Sequence, residues 1–452
     1  MIKKSKKPNN KNLIKHDMHL LKQTYPASQF NISSTLVHHN VMDVINRLQE
    51  KQFEAYIVGG GIRDLLLKRK PKDFDIVTNA TPEVIRKIFK RQAIIIGKRF
   101  KIVHIVFNNI NFDRMVNNRA TTDRHIIEVS TYRSQNIEDH AINNVGRVMV
   151  DNDYGTQNDD ALRRDFTINA LYYDPIKEII IDYHNGLDDV SHKSLKMIGD
   201  PKARYTEDPV RVLRAIRLSV KLGFTIEDKT YKAINSVKKL LINENKNRIY
   251  EEMLKILLSG SSYDCILYLQ NIEIPKAVFP LLSKLFFGNH VDQMAINVLQ
   301  KTDLRLKEHN SVSLSFLLSA LMWNIIDNYY QKFLLQDESP RAALMLAINK
   351  NRDYASKIAI NRNTYSAITD VWLLQYDLEN PQINKIDKIF YHKRFRQAFH
   401  LYNLRHEFAM VDGKINVWWN KYEQIHQDDA HDDSNTVKIK NKLITQLEKI
   451  LL

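Results

Sequence analysis

A single cysteine, Cys265, in 452 residues excludes an intramolecular disulfide and suits a reducing compartment. No run approaches eighteen apolar residues, so a membrane-crossing helix is not expected. The first residues, Met1-Ile2-Lys3-Lys4-Ser5-Lys6-Lys7, are basic but lack the apolar stretch of a signal peptide. Together these absences point to the cytoplasm, with no membrane partner. Cys/His zinc spacing, a Walker loop and a G-x-S-x-G elbow are also missing, which removes the chemistries they serve. Acid is in deficit: 52 Asp and Glu stand against 67 Lys and Arg, a net charge of +15. Such an excess points to a polyanionic partner, nucleic acid foremost, although a chain rich in Lys, Asn and Ile also drifts basic by composition alone.

At this length two or three domains are expected, and 44% hydrophobic residues suffice for packed cores. Residues 1–36 read as a flexible basic arm. A mixed α/β unit follows over 37–190. Its strands are predicted at Phe53–Val58, Ile94–Ile96, Ile102–Phe107 and Ile126–Ser130, where β-branched residues cluster. Thr81-Pro82-Glu83 is a helix start: the hydroxyl caps, proline fits the first turn and the acid suits the positive end. Two polar stretches, Asn108–His125 and Ser134–Asp153, lack periodicity and read as loops. Beyond about residue 205 the pattern is helical, as in Leu314, Leu317, Leu318, Leu321 and Met322. A neck over 191–270 and a body over 271–452 are expected, closed by a short basic helix from Val437. The fold class is therefore α+β: a mixed sheet with helices, then all-α.

The most informative residues are Asp73-Phe74-Asp75. A strand sends residues i and i+2 to one face, so two carboxylates would project together and repel unless a cation sits between them. Hard oxygen ligands favour Mg²⁺. A glycine turn, Gly59-Gly60-Gly61, lies about a dozen residues earlier, where backbone N–H groups can approach a phosphate without Cβ obstruction. A solvated polar turn is the plain alternative. A third acid is expected from Arg163-Arg164-Asp165, whose arginines would keep the carboxylate ionised and offer donors to a triphosphate. Glu128, on a strand between apolar residues, is its rival.

In Tyr205-Thr206-Glu207-Asp208-Pro209-Val210-Arg211, Thr206 reads as a helix cap. Asp208, Arg211 and Arg214 recur at three-residue spacing and share a face. A carboxylate beside a guanidinium complements the donor–acceptor edge of adenine or cytosine and mismatches guanine and uracil. An ordinary intrahelical ion pair is the alternative. Further on, Phe395, Phe399 and Tyr402 have the spacing of a buried stripe, while Lys393, Arg394 and Arg396 face either phosphates or plain solvent. His426 and His431 among aspartates read as an acidic linker rather than a metal site.

These motifs, with Arg164-Asp165-Phe166-Thr167-Ile168-Asn169-Ala170 and Asn247-Arg248-Ile249-Tyr250-Glu251-Glu252, resemble the bacterial class II tRNA nucleotidyltransferase/poly(A) polymerase family over about 50–260. The resemblance implies a nucleotidyltransferase-fold head followed by a helical neck and body that hold RNA. It implies template-independent addition of nucleotides to RNA 3′ ends with Mg²⁺. Asp73 and Asp75 would hold metal and Asp165 would complete the acids. Gly59, Gly60 and Arg63 would meet the triphosphate, and Asp208, Arg211 and Arg214 the nucleotide. Ile95-Ile96-Gly97-Lys98-Arg99-Phe100-Lys101-Ile102-Val103-His104-Ile105 and the third glycine, Gly61, are similar to the polymerase branch, which adds AMP from ATP and releases pyrophosphate. Expected partners are ATP, RNA 3′ ends (mRNA, then tRNA or other structured RNA) and RNA-decay proteins. The rivals are a CCA-adding enzyme and a non-catalytic RNA-binding protein on the same scaffold.

Overall fold

The computed structural model describes residues 21–97, 101–116, 119–134, 154–287, 291–428 and 434–451. The chain divides into two compact units, Met1–Glu207 with Phe224–Ala233, and Asp208–Gly223 with Ile234–Leu452.

The first unit is built on a mixed sheet. Its strands are β1 (Gln23–Pro26), β2 (Ala55–Val58), β3 (Asp75–Thr78), β4 (Ala93–Ile96), β5 (Ile102–Val116), β6 (Arg119–Thr131), β7 (Leu171–Asp174) and β8 (Ile179–Asp182). They lie in the order β1-β8-β7-β2-β3-β6-β5-β4. The β3–β6 pair is parallel and the other neighbours are antiparallel. All residues of β2 and β7 are buried, and β2 accordingly reads as an unbroken apolar run, Ala55-Tyr56-Ile57-Val58. On one face Tyr56, Val58, Val77, Tyr132, Ala161, Tyr172 and Ile181 form a cluster. The flanking helices that matter here are α1 (His39–Glu50), α2 (Gly60–Leu66), α3 (Pro82–Phe89) and α4 (Gln157–Arg163). As predicted, Thr81 caps α3, its hydroxyl accepting from Val84 N at 3.4 Å.

Three expectations are corrected. The arm expected over 1–36 is not free in its described part, because Gln23–Pro26 adds an edge strand to β8 in the register Gln23↔Asp182 to Pro26↔Ile179. Asn108–His125 is not a loop: β5 and β6 pair from Ile102↔Ser130 out to Val116↔Arg119, with a register shift between Asn111 and Met115. Antiparallel pairing satisfies backbone groups whatever the side chains, so polar composition did not exclude a strand where the partner lies next in sequence. Thr206 does not cap the following helix. It sits inside the helix Pro201–Glu207 and its hydroxyl donates to Lys202 O at 2.7 Å. Most of the second expected loop (135–153), residues 98–100 of the polymerase-like stretch and residues 429–433 of the acidic linker lie outside the described residues.

The second unit is helical. The helix Val210–Leu222 buries Val212, Leu213, Ala215, Ile216 and Ser219, and Gly223 ends it at φ 72°, a left-handed turn that favours glycine. Farther along, the predicted stripe is core: Phe395, Phe399 and Tyr402 are at most 4% exposed. Phe395 and Phe399 stack at 5.4 Å, and Trp419 lies 5.8 Å from Phe395. The indole N–H groups of Trp372, Trp418 and Trp419 donate to Ser319 O, Leu443 O and Leu378 O at 2.7–3.0 Å, so these rings are buried without an unpaired donor. Lys393 and Arg396 are exposed and Arg394 is half-buried.

Candidate active site

Sheet register assembles the site within the first unit. Val58 pairs with Asp75 across β2 and β3, so the glycine turn after β2 and the Asp73–Asp75 segment before β3 meet at one end of the sheet. Gly59 has φ 72° and ψ −127°, a conformation that a side chain would strain. Gly61 is tight for a different reason. A Cβ there would lie 3.0 Å from the Phe74 ring and 3.4 Å from Asp73 O, so the turn packs directly against the acidic segment.

Asp73 and Asp75 are exposed, whereas Ile76, Val77 and Thr78 behind them are buried. In the parallel β3–β6 pair, Ile76↔Val129 places Glu128 on the strand beside Asp75. Although Asp75 is exposed as a residue, the packed sheet end partly desolvates its carboxyl; this desolvation, then the negative charge of Glu128, push it up to about 6, with Arg164 opposing and Asp73 adding to the repulsion. Glu128 also lies 3.3 Å from His104 Nε2, its cross-strand partner on β5. The histidine was visible in the sequence, but only strand pairing gives it a carboxylate.

The stretch after α4 supplies the positive side. Arg164 donates to Asp160 Oδ2 at 2.8 and 3.0 Å, and Tyr172 OH donates to the same oxygen at 2.8 Å. Burial alone would lower the Arg164 pKa, but Asp160 and Tyr172 more than offset it and the guanidinium stays charged. A Cβ on Gly59 would be 3.9 Å from Arg164 Nη1, so this cation borders the glycine turn. Asp165 is buried; its Oδ1 accepts from Phe166 N at 2.8 Å and Asn169 Nδ2 at 3.2 Å. Asn169 in turn accepts from Arg63 Nη1 at 2.8 Å, and Arg63 also grips Asp64 at 2.7 Å. Arg63 is 6% exposed and is engaged in tying the turn to the Asp165 loop. The structure thus brings Gly59, Gly60, Arg63, Asp73, Asp75, Arg164 and Asp165 to one end of the head.

Asp208, Arg211 and Arg214 belong to the second unit. Asp208 Oδ1 and Oδ2 accept from Arg248 Nη2 at 2.9 and 2.8 Å. Burial would raise the Asp208 pKa, yet the Arg248 hydrogen bonds and the charges of Arg248, Arg211 and Arg214 bring it below its ordinary value. Arg248 also reaches Glu244 at 3.5 Å, whose side chain is fully buried. The segment holding Arg248 is conspicuous in the sequence but its role is not, because its partner lies 40 residues away, in the break before the helix Val210–Leu222.

Residues 55–196 match the family described as "Poly A polymerase head domain", residues 223–286 "Probable RNA and SrmB- binding site of polymerase A", and residues 336–443 "Polymerase A arginine-rich C-terminus". Poly(A) polymerase I of Haemophilus influenzae is 35% identical over 418 residues, covering 89% of this chain and 88% of the relative. The chain belongs to the poly(A) polymerase I family. Within that family's wider kinship, the CCA-adding enzyme of Lactobacillus helveticus is 36% identical over only 215 residues, 48% of this chain and 49% of its own length. Among solved structures, the Bacillus stearothermophilus CCA-adding enzyme in complex with CTP shares the fold with a TM-score of 0.50 at 21% identity, covering 88% of this chain and 82% of that one. The poly(A) polymerase head is thus the mixed sheet described above, and the helical remainder carries the other two matched segments.

Proposed function

We propose that the protein is a polynucleotide adenylyltransferase that adds AMP from ATP to RNA 3′ ends without a template and releases pyrophosphate. The observation that carries this reading is the similarity to poly(A) polymerase I along almost the whole chain, against half the chain for a CCA-adding enzyme. The geometry supports it. Asp73 and Asp75 face solvent at the glycine turn, and Arg164 offers a permanently charged guanidinium beside Gly59.

Among the described residues no group of three or more His, Cys, Asp or Glu side chains is arranged to hold a metal ion. The fit to Mg²⁺ rests on Asp73 and Asp75, whose mutual repulsion, reinforced by Glu128, a divalent cation would relieve. When bound, such an ion would acidify the RNA 3′-hydroxyl and neutralise the departing phosphates. The chain's own part is to hold the acids at the sheet end. Glu128 serves as the third acid acting on Asp75, and Asp165, locked to Asn169 and Phe166 N, positions the loop that bears Arg164. Gly59 and Gly60 leave room for the triphosphate, and Arg63 keeps their turn in place. Asp208 and Arg211 would read the base edge, with Arg248 and Arg214 helping to keep the Asp208 carboxylate charged.

No helix among the described residues is long and apolar enough to cross a membrane. Burial pushes the Cys265 thiol up to about 12, which keeps it inert. We place the protein in the cytoplasm, where its tails would hand RNA to the decay machinery. The test offers ATP, CTP, GTP and UTP separately to a generic RNA primer with Mg²⁺. A long A tract with ATP alone is expected. A finished three-base end on tRNA would favour the CCA-adding reading, and no incorporation from any nucleotide would leave only RNA binding.

A further inference from the structure

The helices Pro340–Lys357 and Arg362–Glu379 enclose a cleft of about 390 Å³ in the second unit, at the end of one and the start of the next. Its floor is apolar, made by Ala355, Ile360 and Tyr365, each at most 9% exposed. Its rim carries Arg352 and Arg362, with the hydroxyls of Ser356, Ser366 and Thr369. No acid lines it. Arg352 and Arg362 are exposed, and neither has a carboxylate partner among the described residues. Two unpaired guanidiniums facing one cleft repel each other, and an anion between them would relieve that cost. The second helix adds the positive end of its backbone dipole. Asn361 caps it by accepting from Thr364 N at 2.8 Å, one of the first-turn N–H groups at the positive end.

We infer that this cleft binds a phosphodiester of the RNA backbone, as a subsite apart from the Lys393–Arg396 stretch. The donors are all suited to phosphate oxygens, while the floor accepts a ribose face and has no charged group to read a base. The volume is within the range of about 300–1,000 Å³ that holds small ligands, so a nucleotide unit fits without the walls opening. This inference rests on the proposed use of RNA, and it assigns the contact to this end of the helical unit.

The experiment measures binding of a fluorescent oligoadenylate by anisotropy over a salt series, with the full chain and with Arg352→Ala, Arg362→Ala and their combination. Each lost phosphate contact should flatten the slope of log K against log salt by about 0.7, or about 5-fold in affinity near 0.1 M salt. The double variant should therefore bind about 25-fold more weakly. Arg352→Lys with Arg362→Lys should recover the slope, because the point charge suffices. Thermal unfolding should be unchanged in all of them, since both side chains are exposed. At saturating RNA, kcat and the KM for ATP should remain at wild-type values while the KM for RNA rises. An unchanged salt slope in the double variant would overturn the inference. So would a loss confined to ATP or inorganic phosphate binding, which would assign the cleft to a free anion. A wild-type chain that incorporates no nucleotide yet shows the arginine-dependent slope would sink the polymerase reading and leave this subsite standing.

Discussion

Replacing Arg248 by alanine removes the two hydrogen bonds that hold Asp208, at 2.8 and 2.9 Å. Hydrogen bonds to charged groups are each worth about 1.5–3 kcal/mol, and breaking a fully buried ion pair costs about 3–5 kcal/mol. Here the Arg248 side chain is 40% exposed and that of Asp208 19%, so water screens the pair and can replace the guanidinium in part. Arg211 and Arg214 also remain to offset the charge of Asp208. The expected cost is about 1–2 kcal/mol, which lowers the midpoint of this helical unit by about 2–8 °C. The sign with pH follows from linkage. The folded pKa of Asp208 lies below its ordinary 3.8, so the stabilisation is fully present above that value and is lost as pH falls through the folded pKa. Urea titrations of wild type and Arg248→Ala should therefore differ near neutral pH and converge in acid. The variant should also incorporate ATP with less preference over GTP, because Asp208 is no longer held. In a double-mutant cycle with Asp208→Asn the two losses should fall short of additive. Equal stability at neutral pH, or a gap that persists in strong acid, would refute the reasoning.

Asp75→Ala and Asp73→Ala should abolish incorporation while RNA affinity stays within about 2-fold, and near-wild-type turnover in either would remove the metal role from these acids. Arg211→Ala should lower the ATP:GTP ratio more than RNA affinity, and the ratio of the two kcat/KM values checks it. Gly61→Ala should reduce kcat, since a Cβ 3.0 Å from the Phe74 ring must displace the acidic segment; steady-state kinetics at saturating ATP and RNA measure it. Phe395→Ala should destabilise the helical unit by about 3–5 kcal/mol, which denaturant midpoints would show.

The parts of the site that share one stretch of chain were legible without a structure. Asp73 and Asp75 are two residues apart, and the glycine turn speaks for itself because few other sequences give backbone that freedom. Helix starts such as Thr81-Pro82 were equally local, since a cap bonds within one turn. Errors arose where composition stood in for pairing. Residues 108–125 have the polar composition of a loop, yet their backbone groups pair with the neighbouring strand. Thr206 has the residue type of a cap, but the helix it belongs to begins at Pro201.

What the sequence determined by itself was chemistry: which acids, which glycines, how much positive charge, and which aromatic stripe had the period of a buried helix face. Only the tertiary structure decided partnership. Strand register set Glu128 beside Asp75 and His104 beside Glu128, and helix packing gave Asp208 to Arg248 across 40 residues. The physical reason is range. Capping, turn geometry and periodicity are fixed by bonds a few residues long, whereas an ion pair between distant segments exists only after the chain has paid for loop closure and packed its core.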